Sequence, residues 1–132
     1  MMNEGDDSNR EFDLWDRLLE FTIRVLNVVE SLPDTRVGKH IAGQLVRSGT
    51  SPSPNYSEAC AAESRRDFIH KMKVCLKELR ETFTWLTIIQ RKPVIEPSSK
   101  LDPILSECNE LIAIFVSSIE TAKANLQEEK AK

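Results

Sequence analysis

Five side chains that can carry positive charge recur at helical spacing in the middle of the chain: Arg66, His70, Lys73, Lys77 and Arg80. At about 100° per residue they fall within an arc of about 80° on one face of a helix. Such a row can bind phosphates, which supply most of the affinity in nucleic-acid recognition. It is therefore a candidate nucleic-acid-binding surface. A solvated helix face explains the same spacing, and no aromatic side chains are interleaved for base stacking.

A second set of polar residues is Arg47, Asn55 and Glu58, which lie around a proline-rich stretch at helical spacings of eight and three. A guanidinium, an amide and a carboxylate can form a hydrogen-bonded cluster between helices or between subunits. We interpret them as a candidate structural polar cluster, because a ligand site usually also needs a tuned acid or nucleophile.

The sequence predicts no catalytic residue, no cofactor site and no metal site, and we expect no enzymatic activity and no small-molecule substrate. Serines near residue 50 lack the Gly-x-Ser-x-Gly turn of a hydrolase. Neither His40 nor His70 belongs to the Glu-x-x-His motif of di-iron bundles. Cys75 and Cys108 recur at apolar positions and are interpreted as small hydrophobic residues.

The distribution of charge is uneven along the chain, although the net charge of 132 residues is only −3. Residues 36–92 carry 11 basic and 5 acidic side chains, and the remaining residues carry 7 basic and 16 acidic ones. The acidic start has no signal-peptide pattern, and no stretch approaches the ~20 apolar residues of a membrane span. Three widely spaced cysteines indicate reduced thiols, so we predict a cytoplasmic protein without membrane partners.

Four long segments carry apolar residues at alternating steps of three and four, the spacing of one helix face. Helices are predicted from Glu11 to Leu32, from about Asp34 to Ala62, from Ser64 to Arg91 and from Ser98 or Ser99 to about residue 127. Short connections predict an all-α, antiparallel up-down four-helix bundle. Residues 1–10 are predicted to be a disordered acidic tail, 11–127 the bundle domain and 128–132 a frayed C-terminus.

Pro52 and Pro54 interrupt the second helix, because proline lacks a helical N–H and clashes with the preceding turn. Two alternatives remain open. Either the helix is kinked here, or it stops and restarts with Ser51 or Ser53 as a cap and a proline at the first helical position.

The apolar rows give a predicted core, listed here by helix. They are Trp15, Leu18, Thr22, Val25, Val29 and Leu32; then Val37, Ile41 and Leu45; then Phe68, Met72, Cys75, Leu79, Thr82, Leu86 and Ile89; and then Leu101, Leu105, Cys108, Ile112, Phe115, Ile119, Ala122 and Leu126.

Three helices carry a second apolar row beside the first: Leu19, Ile23 and Leu26; Ile69, Leu76 and Phe83; and Ile104, Leu111 and Val116. An apolar arc wider than one core requires indicates self-association. A thick core with a few exposed aliphatic residues is the alternative. The candidate interface residues are Leu19, Ile23, Leu26 and Trp85, the last at an interface edge.

A series of short motifs resembles a known bacterial family. They are Ile41-Ala-Gly-Gln-Leu-Val-Arg-Ser48, Ser51, Asn55, Glu58-Ala59, Arg66-Asp-Phe-Ile69, Lys77-Glu-Leu-Arg-Glu-Thr82 and Trp85-Leu86. Their order is similar to that of the four helix bundle protein family, whose members include proteins encoded in intervening sequences of 23S ribosomal RNA genes. The resemblance implies a left-handed antiparallel bundle that assembles as a ring, typically a homopentamer, with no established enzymatic activity. A related branch, the accessory protein of diversity-generating retroelements, implies nucleic acid or a nucleic-acid enzyme as a further partner.

Overall fold

The computed structural model describes the backbone of residues 6–131 and the side chains of residues 13–131. This part of the chain contains helices and no strand. The helices are α1 (Asp6–Ser31), α2 (Arg36–Thr50), α3 (Pro52–Cys60), α4 (Arg65–Arg91) and α5 (Asp102–Ala131), and a 3-10 turn over Ser98–Leu101 leads into α5. The predicted all-α four-helix bundle is confirmed, with α2 and α3 forming one of its four rods.

The α2–α3 rod bends at Ser51 and does not break, and we refer to it as the bent rod. Ser51 keeps helical dihedral angles, with φ of −75° and ψ of −38°, and Pro52 occupies the first position of α3. The backbone N–H of Asn55 still donates to the Ser51 carbonyl at 3.3 Å. Pro52 is tolerated because the first residue of a helix needs no N–H partner. Of the two alternatives, the structure therefore shows the kinked helix.

The predicted helix boundaries need three corrections. Helix α1 begins at Asp6, five residues before the predicted start at Glu11; residues 1–5 of the predicted tail lie outside the described part of the chain. Helix α5 runs to Ala131, beyond the predicted end near residue 127, and the fraying of residues 128–132 stays a prediction. Thr35, not Asp34, caps α2, because its hydroxyl accepts a hydrogen bond from Gly38 N at 3.0 Å.

The four rods form a closed square in cross-section. Helix α1 contacts the α2–α3 rod and α5, and α4 contacts the same two neighbours. Within the described residues, no Cα atom of α1 comes within 8 Å of one in α4. Consequently α1 and α4 occupy opposite corners of the bundle.

Arg17 joins α1 to α5 by hydrogen bonds of 2.8 Å to Glu107 and Glu110. The bond to Glu107 raises the pKa of the Arg17 guanidinium.

The core keeps most of the predicted rows, with changes at their edges. Phe21, which the prediction omitted, is buried, whereas Trp15 is 39% and Val37 47% exposed. Ile69 is buried in place of Phe68, because Phe68 lines a surface cleft near the end of α3. In α5, Ile104 and Leu111 are buried, and the predicted core residues Leu105 and Ile112 are half-buried against the core.

Candidate functional site

All five side chains of the predicted cation row are exposed on α4. Ser64 caps this helix by accepting a hydrogen bond from Asp67 N at 3.0 Å. From there the helix runs unbroken for 27 residues, so the 3–4 spacing of the sequence becomes a straight row. The exposed residues of this α4 cation row are Arg66, His70, Lys73, Lys77 and Arg80.

The α4 cation row has no ion-pair partner among the described side chains. None of its five members forms an ion pair within residues 13–131. Basic residues just off the row do: Arg65 pairs with Glu129 at 2.7 Å, and Lys71 with Glu58 at 2.6 Å. The row therefore presents its charge to the outside of the protein.

Two lysines of α5, which the sequence analysis missed, lie beside the start of the row. Lys123 and Lys130 line a hollow together with Arg66 and Lys73. Lys123 approaches Glu120 only to 3.9 Å. The two lysines are seven residues apart, which places them on one face of a helix, but only the packing of α5 on α4 brings that face to the row.

Arg47, Asn55 and Glu58 do not form the single polar cluster that was predicted. Arg47 forms ion pairs with Glu78, at 3.4 Å, and with Glu81. Glu58 accepts a hydrogen bond from Lys71, and the Asn55 side chain donates to the carbonyl and hydroxyl of Ser51 at 3.0 Å each. Arg47 and Glu58 lie 11 residues apart on this rod, so they contact α4 at heights about 16 Å apart, whereas Asn55 bonds within the rod.

Trp85, a candidate interface residue, packs within its own subunit. Its ring meets the ring of His40 edge-to-face, with the centroids 6.0 Å apart. Its indole N–H donates to Glu81 Oε2 at 3.3 Å. The side chain is half-buried. Trp85 thus joins α4 to α2, and its outer edge remains accessible.

The candidate interface residues of α1 form a partly exposed apolar surface. Leu19 and Leu26 are half-buried and Ile23 is 51% exposed. They lie on the side of α1 that faces the bent rod, because Leu19 and Leu26 flank Thr22, whose hydroxyl lies 2.9 Å from that of Ser53.

Val46 extends this surface onto α2. It is 36% exposed and lies one helical turn before Gly49, which packs against Val25 of α1. We refer to Leu19, Ile23, Leu26 and Val46 as the α1–α2 apolar surface. The extra rows of α4 and α5 are more covered: Ile69, Ile104 and Leu111 are buried and Leu76 and Phe83 are half-buried, while Val116 is 36% exposed. Of the three extra rows, that of α1 alone has no buried member.

The buried thiols have a structural role. Cys75 and Cys108 are inaccessible, and their thiols donate to the carbonyls of Pro52 at 3.5 Å and Leu79 at 3.4 Å. Burial raises the pKa of each to about 12. Such thiols are poor nucleophiles and poor metal ligands near neutral pH.

No group of three or more His, Cys, Asp or Glu side chains is arranged to hold a metal ion in the described part of the chain. No helix within the described residues is long and apolar enough to cross a membrane.

Comparison with known proteins agrees with this fold. The model of a family described as the 23S rRNA-intervening sequence protein matches residues 10–117. This chain belongs to that family. A similar solved structure is the crystal structure of a protein of unknown function from the S23 ribosomal protein family of Bacteroides thetaiotaomicron. It is 33% identical, covers 83% of this chain and 97% of its own, and has a TM-score of 0.76. A search of curated proteins found no match.

Membership of the 23S rRNA-intervening sequence protein family covers all four rods of the bundle up to the middle of α5. Both the α4 cation row and the α1–α2 apolar surface lie inside the matched residues. Lys123 and Lys130 lie beyond them.

Proposed function

We propose that this 23S rRNA-intervening sequence protein is a non-enzymatic scaffold that assembles with copies of itself. The observation that supports the proposal is the α1–α2 apolar surface, where Ile23 is 51% exposed between two half-buried leucines. Fully burying one such side chain contributes about 1.5–3 kcal/mol, so covering several of them favours association. Arg47 and Glu58 of the bent rod pair with α4, which is a structural use of groups that a catalytic site would also need.

We infer a closed ring, and by family resemblance a pentamer. A ring requires a head-to-tail contact between two different surfaces of the same chain. The α1–α2 apolar surface occupies only one side of the bundle, so it can serve as one of the two.

Light scattering coupled to size exclusion tests the proposal. We expect a mass several times the 15.0 kDa of one chain. Ile23→Glu combined with Val46→Glu should lower the mass toward one chain, because two carboxylates would have to be buried at the contact.

The matched control is Val37→Glu. Val37 is 47% exposed on the same helix as Val46, and nine residues separate the two, which places them on opposite sides of α2. This variant should keep the mass of the unmodified chain. A protein that is a monomer at tens of micromolar before any substitution contradicts the proposal.

A nucleic-acid-binding accessory role is the second candidate. It is favoured by one observation, the exposure of all five members of the α4 cation row without an ion-pair partner among the described residues. Fluorescence anisotropy with a labelled single-stranded RNA and a DNA duplex tests it. Affinity should fall steeply with salt and should fall again in the Lys73→Glu, Lys77→Glu variant. Lys92→Glu with Lys100→Glu, which changes exposed lysines outside the row, is the control. Equal binding by the two variants excludes the row.

A further inference from the structure

The outermost row of α1 is acidic. Asp13, Asp16 and Glu20 follow one another at steps of three and four, and the row continues through Ile23 and Asn27 to Glu30. All six side chains are exposed. None of the four carboxylates forms an ion pair within residues 13–131. This α1 acidic row is therefore as poor in internal counterions as the α4 cation row.

The two rows point away from the bundle on opposite sides. Helices α1 and α4 occupy opposite corners, and each turns its buried residues inward, among them Leu18 and Val25 in α1 and Met72 and Leu79 in α4. The outward rows consequently give one subunit an acidic side and a basic side. Contact between them within a single subunit is excluded by this arrangement.

The charges of the two rows also lie at the same height along the bundle. Asp13 and Leu14 line one cleft together with Phe68 and Met72, so the beginning of the acidic row is level with the beginning of the cation row. Two chain reversals separate α1 from α4, so the two helices run in the same direction. At equal rise per residue, the residues from Asp13 to Glu20 are level with those from about His70 to Lys77.

A rotation about an axis parallel to the bundle changes no residue's height. In a ring built around such an axis, α1 of one copy can therefore meet α4 of the next with carboxylates level with cations. A twofold contact of α1 with α1 would instead place carboxylates against carboxylates, and such like-charge contacts cost several kcal/mol. Charge thus favours a head-to-tail contact over a symmetric dimer through this side.

We propose that the α4 cation row is the docking surface for the α1 acidic row of a neighbouring copy, with the α1–α2 apolar surface buried beside it. This inference rests on the proposed self-assembly and adds the identity of the receiving surface. In this assembly the cations of α4 are counterions for protein carboxylates, and binding of nucleic acid to the same row competes with it.

Charge exchange tests the docking surface. One variant carries Asp16→Lys with Glu20→Lys, a second carries Lys73→Glu with Lys77→Glu, and a third carries all four changes. Scattering mass is measured over a dilution series at low salt. We expect the chain concentration at half-assembly to rise at least about tenfold in each two-site variant, because like charges then face each other. The four-site variant should assemble again, since its rows are exchanged but still complementary.

The controls have the same changes in charge at exposed sites outside both rows. Glu96→Lys with Glu128→Lys matches the first variant, and Lys92→Glu with Lys100→Glu matches the second. Both should assemble like the unmodified chain, and far-ultraviolet circular dichroism should show that every variant is equally helical. If the unmodified chain assembles and the two-site variants assemble equally well, or if the four-site variant fails to recover, the docking surface is refuted while self-assembly stands. If the unmodified chain is a monomer, both proposals fail.

Discussion

Gly49 of α2 packs directly against the side chain of Val25 of α1, with no space for a methyl group between them. A Cβ atom at Gly49 would overlap Val25 Cγ1 and would lie 3.2 Å from Val25 Cβ. The contact sets how closely α1 and the bent rod approach, and it places Val46 beside the apolar row of α1.

Replacing Gly49 by alanine should lower the free energy of unfolding by about 1–3 kcal/mol, because the core must shift to accept the added methyl group. Gly43 of the same helix is the matched control, since a Cβ there meets nothing within 4 Å. Gly43→Ala should raise the free energy of unfolding by about 0.5–1 kcal/mol, through helix propensity and a less flexible unfolded chain. Urea denaturation at one chain concentration measures both. Changes of the same sign would contradict the close contact.

The hydroxyls of Ser48 and Thr82 lie 3.0 Å apart in the core, where both residues are completely buried. Thr82 also donates to the Glu78 carbonyl at 2.8 Å. Thr82→Val should cost about 1–3 kcal/mol of unfolding free energy, because it leaves the buried Ser48 hydroxyl without its partner. Ser48→Ala should cost less, because Thr82 keeps its bond to Glu78. Thermal unfolding compares the two, and an equal cost would contradict this assignment of partners.

Two phenylalanines should differ in their effect on stability. Phe115 is completely buried and meets the ring of Tyr56 edge-to-face at a centroid distance of 5.8 Å. Phe115→Ala should lower the unfolding free energy by about 3–5 kcal/mol, since it creates a cavity in the core. Phe68 lines a surface cleft, so Phe68→Ala should cost clearly less. Urea denaturation of both variants decides the order, and a larger loss for Phe68→Ala would contradict it.

The three thiols should react at different rates. At about pH 8 in the folded protein, a thiol reagent should modify the exposed Cys60 quickly and Cys75 and Cys108 slowly, whereas all three should react at similar rates in denaturant. Burial raises the pKa of the two buried thiols from 9.0 to about 12. Mass spectrometry of the time course identifies the modified residues, and rapid modification of Cys108 in the folded protein would contradict the buried position.

The same pKa shift predicts how stability depends on pH. The unfolded thiols lose their protons above about pH 9, while the folded ones keep theirs until about pH 12. Stabilisation from these groups is therefore complete below pH 9 and declines above it. Replacing both by alanine should lower stability at neutral pH and should reduce the decline measured between about pH 8 and 10. An unchanged decline would assign it to other groups.

Much of the fold followed from periodicity, because a 3–4 spacing kept over many residues has few structural solutions. The boundaries were less predictable where two neighbouring residues were both suitable, as with Asp34 and Thr35, whose choice depends on which oxygen can reach Gly38 N. Phe21 was missed because the row through Thr22 had an equally good spacing. The structure distinguishes these two residues, because Phe21 is buried in the core and Thr22 contacts Ser53 of the bent rod.

The candidate surfaces were predictable as patterns within a helix and not as contacts between helices. The α4 cation row is local, so its exposure followed from spacing alone. The ion pairs of Arg47 with Glu78 and Glu81, beside the row, join two helices and could not be predicted from spacing. The separation of Arg47 and Glu58 follows from their spacing of 11 residues, whereas their partners on α4 depend on how the helices pack, which no residue spacing specifies.

In the proposed assembly, the diagonal placement of α1 and α4 gives each subunit two unlike binding sides. A subunit bound through one side would still offer the other, so growth would stop only when the last copy meets the first. A copy with one intact binding side and one defective side would bind once and would then block further growth. A small proportion of such a variant would therefore inhibit assembly of a large excess of unmodified chains.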